Sequence, residues 1–297
     1  MTHKSVLLQE SIDGLDLQIG DVYLDATAGS GGHLEEVWRR FADRVTLIGL
    51  DADSTSLTIT KERLDLVGAK VKLLELNFRH IDKALELFEI KNPDKILFDL
   101  GWSSDQFEGG GKGFSFQKDE PLLMTFKKEV TDEDTTAYEV VNRWNEENLA
   151  DVIYGYGEER YARRIAKMIV EKRQEKPISS SAELAEIIKS AVPIIYRFGR
   201  IHPATRTFQA IRIAVNDELR ALEEGLMKSF EILKEGGRLA VISFHSLEDR
   251  IVKNFFRLKK EEGRGKLINK KPIVPSEAEI FKNPRSRSAK LRIIQKC

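Results

Sequence analysis

"YLDATAGSGGHLEEV" (23–37) decides the fold. It begins as a buried strand, turns through Gly29, Gly31 and Gly32, and continues with helix-forming residues. Strand, glycine turn and helix in that order open a βαβ unit, and such a turn lets a nucleotide-like ligand approach the backbone. The same alternation extends outward. Strand-like runs at "DVYLDA" (21–26), "VTLIGLD" (45–51), "KVKLLEL" (70–76) and "DKILFDL" (94–100) are separated by helix-like stretches near 31–42, 54–67 and 80–89. Strands and helices alternating at this spacing predict an α/β fold with a parallel sheet.

The pattern resumes late, with a long helix around 208–234, "GRLAVISF" (237–244), a helix over 246–259 and "AKLRIIQ" (289–295). Between the two halves, "WSSDQFEGGGKGFSF" (102–116) has no clear period, and helical stretches follow near 135–143, 146–156, 158–174 and 181–191. Ser180 and Glu183 have capping-box spacing for the last of these. The expectation is one discontinuous α/β domain, 1–104 and 205–297, carrying a helical insertion, 105–204, with a cleft between them as the place for a site.

A chain of 297 residues with 41% hydrophobic and 32% charged residues suits one large α/β domain with an insertion. The single cysteine, Cys297, excludes an intramolecular disulfide and a multi-cysteine zinc site. The five histidines are scattered, so no metal is expected. "MTHKSVLLQE" holds no signal-peptide core, and a soluble cytoplasmic protein is the reading, with no membrane contact. Net charge is zero, but Arg257 to Cys297 carry thirteen Lys/Arg against four Asp/Glu, a local +9 that leaves the rest of the chain at −9. A basic tail on an acidic body suggests a surface for a polyanion.

The glycines depart from the dinucleotide pattern G-x-G-x-x-G because Leu34 stands at its last glycine. Asp51 ends the second strand, where its carboxylate can accept from ribose hydroxyls, and Asp25 and Asp99 end neighbouring strands. A nucleoside without a pyrophosphate suits this set, and S-adenosylmethionine (SAM) is such a ligand.

Several stretches resemble the bacterial small-subunit rRNA cytosine-N4 methyltransferase family. They are "HKSVLL" (3–8), "DATAGSGGH" (25–33), "DLGWSSDQ" (99–106), "GFSF" (113–116), "YGEERYARRIA" (156–166), "HPATRTFQAIRIAVNDEL" (202–219), "ISFHSLEDRIVK" (242–253) and "NPRSRSAKLR" (283–292). The resemblance implies a Rossmann-like SAM-dependent methyltransferase sheet with an inserted helical substrate-recognition domain. It implies methylation of N4 of cytosine 1402 in 16S rRNA, with the small ribosomal subunit as partner, and leaves the oligomeric state open. It places SAM contacts on Gly31, Gly32, His33, Asp51, Phe78, Asp99 and Gln106. The chain also departs from the family: where L-D-M-R-M is usual it reads "LLMTF" (122–126), so Leu123 and Thr125 replace an acid and an arginine. Lys112 stands for an arginine and Asp105 for a proline.

A cytosine amine is a weak nucleophile and needs its N–H groups held by acceptors, in line with the methyl donor. Asp99, Ser103 and Ser104 are the candidates to receive it, and Trp102 to stack on a base. His245, at the end of the "GRLAVISF" strand, is a candidate base; alternatively His245, Glu248 and Asp249 cap and staple the next helix. "RFGRIHPATRTFQAIR" (197–212) has four arginines and no acid, so Arg197, Arg200, Arg206 and Arg212 are candidate RNA contacts, with Arg206 and Arg212 open to a purely structural role. The helix "EERYARRIAKMIVEKR" has mixed signs and is read as a solvated face. Two other functional readings stay open: a SAM-binding ribosome-assembly factor without activity, and a SAM methyltransferase with a different substrate.

Overall fold

A computed structural model describes residues 4–90, 92–100, 111–127, 129–131 and 133–297. It divides into two compact units, 1–103 with 219–297, and 104–218. In chain order the first unit begins α1 (Leu8–Leu15), β1 (Val22–Asp25), α2 (Gly32–Phe41), β2 (Thr46–Asp51), α3 (Ser54–Leu66), β3 (Val71–Glu75), α4 (Ile81–Leu87) and β4 (Lys95–Asp99). The second unit follows with α5 (Ala137–Arg143), α6 (Glu146–Gly157), α7 (Ala162–Glu175), α8 (Ser181–Ala191), α9 (Ile194–Arg197) and α10 (Ala204–Asn216). The chain returns through α11 (Glu218–Ile232) to β5 (Arg238–Ser243), α12 (Ser246–Glu261), β6 (Gly265–Leu267), α13 (Glu277–Lys282) and β7 (Lys290–Lys296).

The sheet has the order β3-β2-β1-β4-β5-β7-β6, parallel from β3 to β5, with β7 antiparallel to both its neighbours. This is the α/β fold with a parallel sheet expected from the alternation, and the Rossmann-like sheet that the resemblance implies. Successive residues of a strand point to opposite faces, and the core divides accordingly. Tyr23, Leu47, Leu97, Ala240 and Ile242 pack with Ile12 of α1, Leu34 of α2 and Leu64 of α3 on one face. Leu24, Ile48, Ile96, Phe98, Leu239 and Val241 pack on the other with Ile81 of α4, Leu226 and Phe230 of α11, and Phe256 of α12. The chain thus changes faces between α3 and α4, when it passes from the β3 side of β1 to the β4 side. In open α/β sheets this reversal opens a crevice beyond the carboxyl ends of the strands.

The second unit is helical. Thr136, Asn145 and Ser180 accept hydrogen bonds from backbone N–H groups of Glu139, Asn148 and Glu183, which fixes the starts of α5, α6 and α8. The Glu183 carboxylate accepts from Ser179 N–H at 2.9 Å, one residue earlier than a strict capping box. Gly157 sits where a Cβ would lie 2.6 Å from the Arg206 carbonyl oxygen, so α6 and α10 approach closely only because no side chain intervenes. The single long helix expected over 208–234 is two helices. Asp217 adopts φ 51°, and the Asn216 side chain turns away to donate to the Met124 carbonyl and accept from Phe126 N–H. An aspartate tolerates this left-handed conformation better than most residues, which makes the break inexpensive.

Candidate functional site

Asp25, Asp51 and Asp99 end β1, β2 and β4, three adjacent strands, at the crevice end of the sheet. The glycine turn is laced to them. Gly29 N–H donates to Asp51 Oδ2 at 2.8 Å, and Asp53 N–H donates to Asp51 Oδ1 at 2.9 Å. Thr27 N–H donates to Asp25 Oδ1 at 3.1 Å, while Asp99 N–H donates to Thr27 Oγ1 at 2.6 Å. Thr60 Oγ1 of α3 donates to the Gly29 carbonyl at 2.6 Å. Gly29 and Gly31 have φ of 52° and 78°, which side chains rarely adopt, and a Cβ on Gly32 would lie 1.9 Å from Ser5 Oγ. The turn is therefore fixed by sterics on its packed side, while a Cβ on Gly29 would meet nothing nearer than 3.8 Å. α2 starts at this turn with no side-chain cap. In its first turn, buried His33 places Nδ1 3.8 Å from Asp99 Oδ2.

Burial dominates the electrostatics. It pushes the Asp25 carboxyl up to about 7, against Thr27 N–H and with the Asp99 and Asp51 charges adding to it. Burial likewise raises Asp51 to about 6, against the N–H groups of Asp53 and Gly29. The Tyr23 phenol is pushed up by burial and then by the Asp25 and Asp99 carboxylates. Among the described residues, neither Asp25 nor Asp51 has an ion-pair partner.

These shifts predict a pH dependence. Both carboxyls bind protons more tightly folded than unfolded, so their contribution to stability is complete below about 3.8 and is lost as pH rises through about 6 and 7. The melting temperature of Asp25→Asn minus that of the parent should therefore increase between acid and pH 8, reflecting up to about 4 kcal/mol for a shift of about three units. A difference that stays flat across that range contradicts the assignment.

Phe78 follows β3 and meets Phe98 edge to face at 5.3 Å and 66°. Gly225 of α11 makes room for it: a Cβ there would lie 2.8 Å from the ring. Trp102, Ser103, Ser104 and Gln106 lie outside the described residues.

His245 caps α12. Its Nδ1 accepts from Glu248 N–H at 3.4 Å, and Glu248 Oε2 accepts from the N–H groups of Phe244 and His245 at 2.8 and 3.2 Å, completing a capping box. Asp249 is held by Arg292 Nε at 2.7 Å and Lys290 Nζ at 3.0 Å. "FHSLEDR" thus staples α12 to the sheet through β7.

In the second unit, Arg197 donates to the Val192 and Ser190 carbonyls and Arg206 to the Glu158 carbonyl. Arg212 makes a two-pronged pair with Glu218, 2.9 Å on each prong, with both side chains largely buried. Arg200 is exposed, beside Phe198 and Ile201. In "LLMTF", the Leu123 and Met124 N–H groups donate to the Lys112 carbonyl and Thr125 is buried, with Asn216 bonding the backbone on either side of Thr125. Sequence reasoning overlooked Thr27, Thr60 and Asn216. The signal available for Thr27 was its place inside "DATAGSGGH", and for Asn216 its place inside "HPATRTFQAIRIAVNDEL"; Thr60 acts across the fold and left none.

Among the described residues, no group of three or more His, Cys, Asp or Glu is placed to hold a metal ion, and no helix is long and apolar enough to cross a membrane. The sequence profile of the MraW methylase family matches residues 1–297. A protein of Carboxydothermus hydrogenoformans named ribosomal RNA small subunit methyltransferase H is 48% identical, covering 99% of this chain and 98% of its own. Proteins of the same name from Sulfurihydrogenibium sp. and Clostridioides difficile are 46% and 43% identical, covering 98% and 99% of this chain and 98% of their own lengths. A match along all 297 residues, with relatives this similar from end to end, shows that the chain belongs to the MraW methylase family.

Proposed function

We propose that the chain transfers a methyl group from SAM to N4 of a cytosine in 16S rRNA, the cytosine at 1402 that the sequence resemblance implies. One observation carries the cofactor reading: the buried Asp25 and the partly buried Asp51, with no cation at ion-pair distance among the described residues, gathered with Asp99 around an open glycine turn. A dinucleotide would bring pyrophosphate charge against them. SAM brings the opposite sign on its sulfonium and ammonium, together with ribose hydroxyls that a carboxylate can accept from.

When bound, SAM supplies a methyl carbon activated by the sulfonium. Asp51 would hold the ribose, Phe78 the adenine face, and Gly31, Gly32 and His33 the amino-acid end near the uncapped start of α2. Gln106 is assigned to the cofactor by the resemblance alone. Asp99, Ser103 and Ser104 hold the N–H groups of the amine so that its lone pair faces the methyl carbon, and the surplus proton leaves to water. Trp102 stacks on a base. His245 positions this edge by capping α12. Arg197, Arg200 and Arg206 contact RNA phosphates, and Arg212 sets the α10–α11 junction through Glu218.

The rRNA substrate is supported by the relatives' name and by the length over which they match, and a cytoplasmic location follows from that reading. The test is transfer of label from SAM to small subunits lacking the modification. Label in 16S rRNA is the expected result. Retained SAM without label supports a SAM-binding assembly factor instead, and label in a protein or small molecule supports a different substrate.

A further inference from the structure

The second unit carries a basic groove that the methyl-transfer reading does not use. It has a volume of about 310 Å³ and is walled by Asp151 and Tyr154 of α6 and by Arg160, Tyr161, Arg163 and Arg164 around the start of α7. Its tyrosine wall is built on a fully buried carboxylate. Glu159 Oε2 accepts from the Tyr196 hydroxyl at 2.6 Å, and Glu159 Oε1 accepts from Tyr161 N–H at 2.9 Å. The two rings meet edge to face at 5.0 Å. The Arg160 guanidinium lies over both, 4.8 Å from the Tyr161 centroid and 4.9 Å from that of Tyr196, and the Arg164 guanidinium lies 6.0 Å from Tyr161.

The charges here are left over. Further along α7, Lys167 and Lys172 pair with Glu171 and Glu175, whereas among the described residues Arg160, Arg163 and Arg164 have no carboxylate at ion-pair distance. Three arginines against Asp151 and the Glu159 carboxylate behind the tyrosines leave the groove cationic. Two of them sit in the first turn of α7, which has no side-chain cap and no acid, so they add to the positive end of the helix rather than offset it. Beside them Tyr154 is 67% exposed and presents its ring to solvent. Guanidiniums next to an exposed ring form the usual platform for a strand of unpaired nucleotides, with phosphates on the cations and a base on the ring.

We propose that this groove binds a phosphodiester step of single-stranded RNA, with phosphates on Arg160, Arg163 and Arg164 and a base stacked on Tyr154. This deepens the methyltransferase reading and rests on it, by adding an RNA contact on a helix face that its sequence alone marks as merely solvated.

The test uses the full chain, a labelled oligoribonucleotide spanning the target cytosine, and binding measured over a range of salt. For Arg163→Ala/Arg164→Ala the slope of log affinity against log salt should shrink by about 1.4, the value for two single-strand phosphate contacts. Arg163→Lys/Arg164→Lys should retain most of the slope. Tyr154→Ala should weaken binding roughly tenfold at high and low salt alike, because stacking is not screened. SAM affinity and melting temperature should match the parent in every variant. RNA affinity and slope unchanged in the alanine variants overturn the groove while leaving methyl transfer standing. A parent protein that does not bind the oligoribonucleotide also overturns the groove, whereas the methyltransferase reading falls only if small subunits take up no label.

Discussion

Asp51→Ala should weaken SAM binding at least a hundredfold while the protein still folds. The carboxylate has two tasks. It already accepts Gly29 and Asp53 N–H groups, which holds the turn to the end of β2, and its remaining lone pairs are the acceptors for a ribose. Hydrogen bonds to a charged group contribute about 1.5–3 kcal/mol each, so losing two ribose contacts costs about 3–6 kcal/mol, from which the loosened turn gives nothing back. Folding is spared because burial has raised this carboxyl to about 6, so its removal relieves a buried charge. Asp51→Asn keeps an oxygen for Gly29 N–H and should fall between the two. Calorimetric titration with SAM checks the order, with Arg200→Ala as a control that keeps parental affinity. Parental SAM affinity in Asp51→Ala would place the cofactor elsewhere.

Arg292→Ala should be the most destabilising single change outside the hydrophobic core. Asp249 sits in the first turn of α12 with its carboxylate on Arg292 and Lys290, and the Arg292 and Asp249 side chains are only 12% and 13% exposed. Burial pushes Asp249 up, but Arg292 and then Lys290 hold it below the usual carboxylate range. Removing the arginine leaves a buried charge with one half-exposed lysine, a loss of about 3 kcal/mol at the low end of the range for broken buried pairs. The melting temperature should drop by roughly 10 °C. Asp249→Leu/Arg292→Met, which removes both charges, should recover much of this loss. The pH sign is opposite to that of Asp25: the Asp249 pair stabilises above the ordinary aspartate range and is lost as pH falls through its depressed value. If the double variant is less stable than Arg292→Ala, the pair contributes more than the geometry assigns to it.

What could be read in advance followed the reach of each signal. The parallel strands were legible because each is a short apolar run between glycine-rich turns, and the aspartates ending β1, β2 and β4 came with them. The alternation that sends Tyr23 and Leu24 to opposite faces is likewise local. β6 was not legible: it has three residues and exists by pairing with β7. The break at Asp217 was hidden for a related reason, since helix-forming residues continue on both sides and its cause, Asn216 bonding near Met124, lies far away in sequence. His245 was legible as a helix cap because a capping box spans three residues. On the face of α7 mixed charges look the same in sequence whether or not they pair, and only the fold shows Arg160, Arg163 and Arg164 standing apart from the pairs Lys167–Glu171 and Lys172–Glu175.

The central claim concerns where the methyl group goes. Small subunits lacking the modification, incubated with the protein and SAM, should yield N4-methylcytidine when the 16S rRNA is digested to nucleosides and analysed by mass spectrometry, and Asp51→Ala should yield none under the same conditions. Methyl found on a ring carbon or a ribose, or no methylated nucleoside from protein that still binds SAM, would contradict the account.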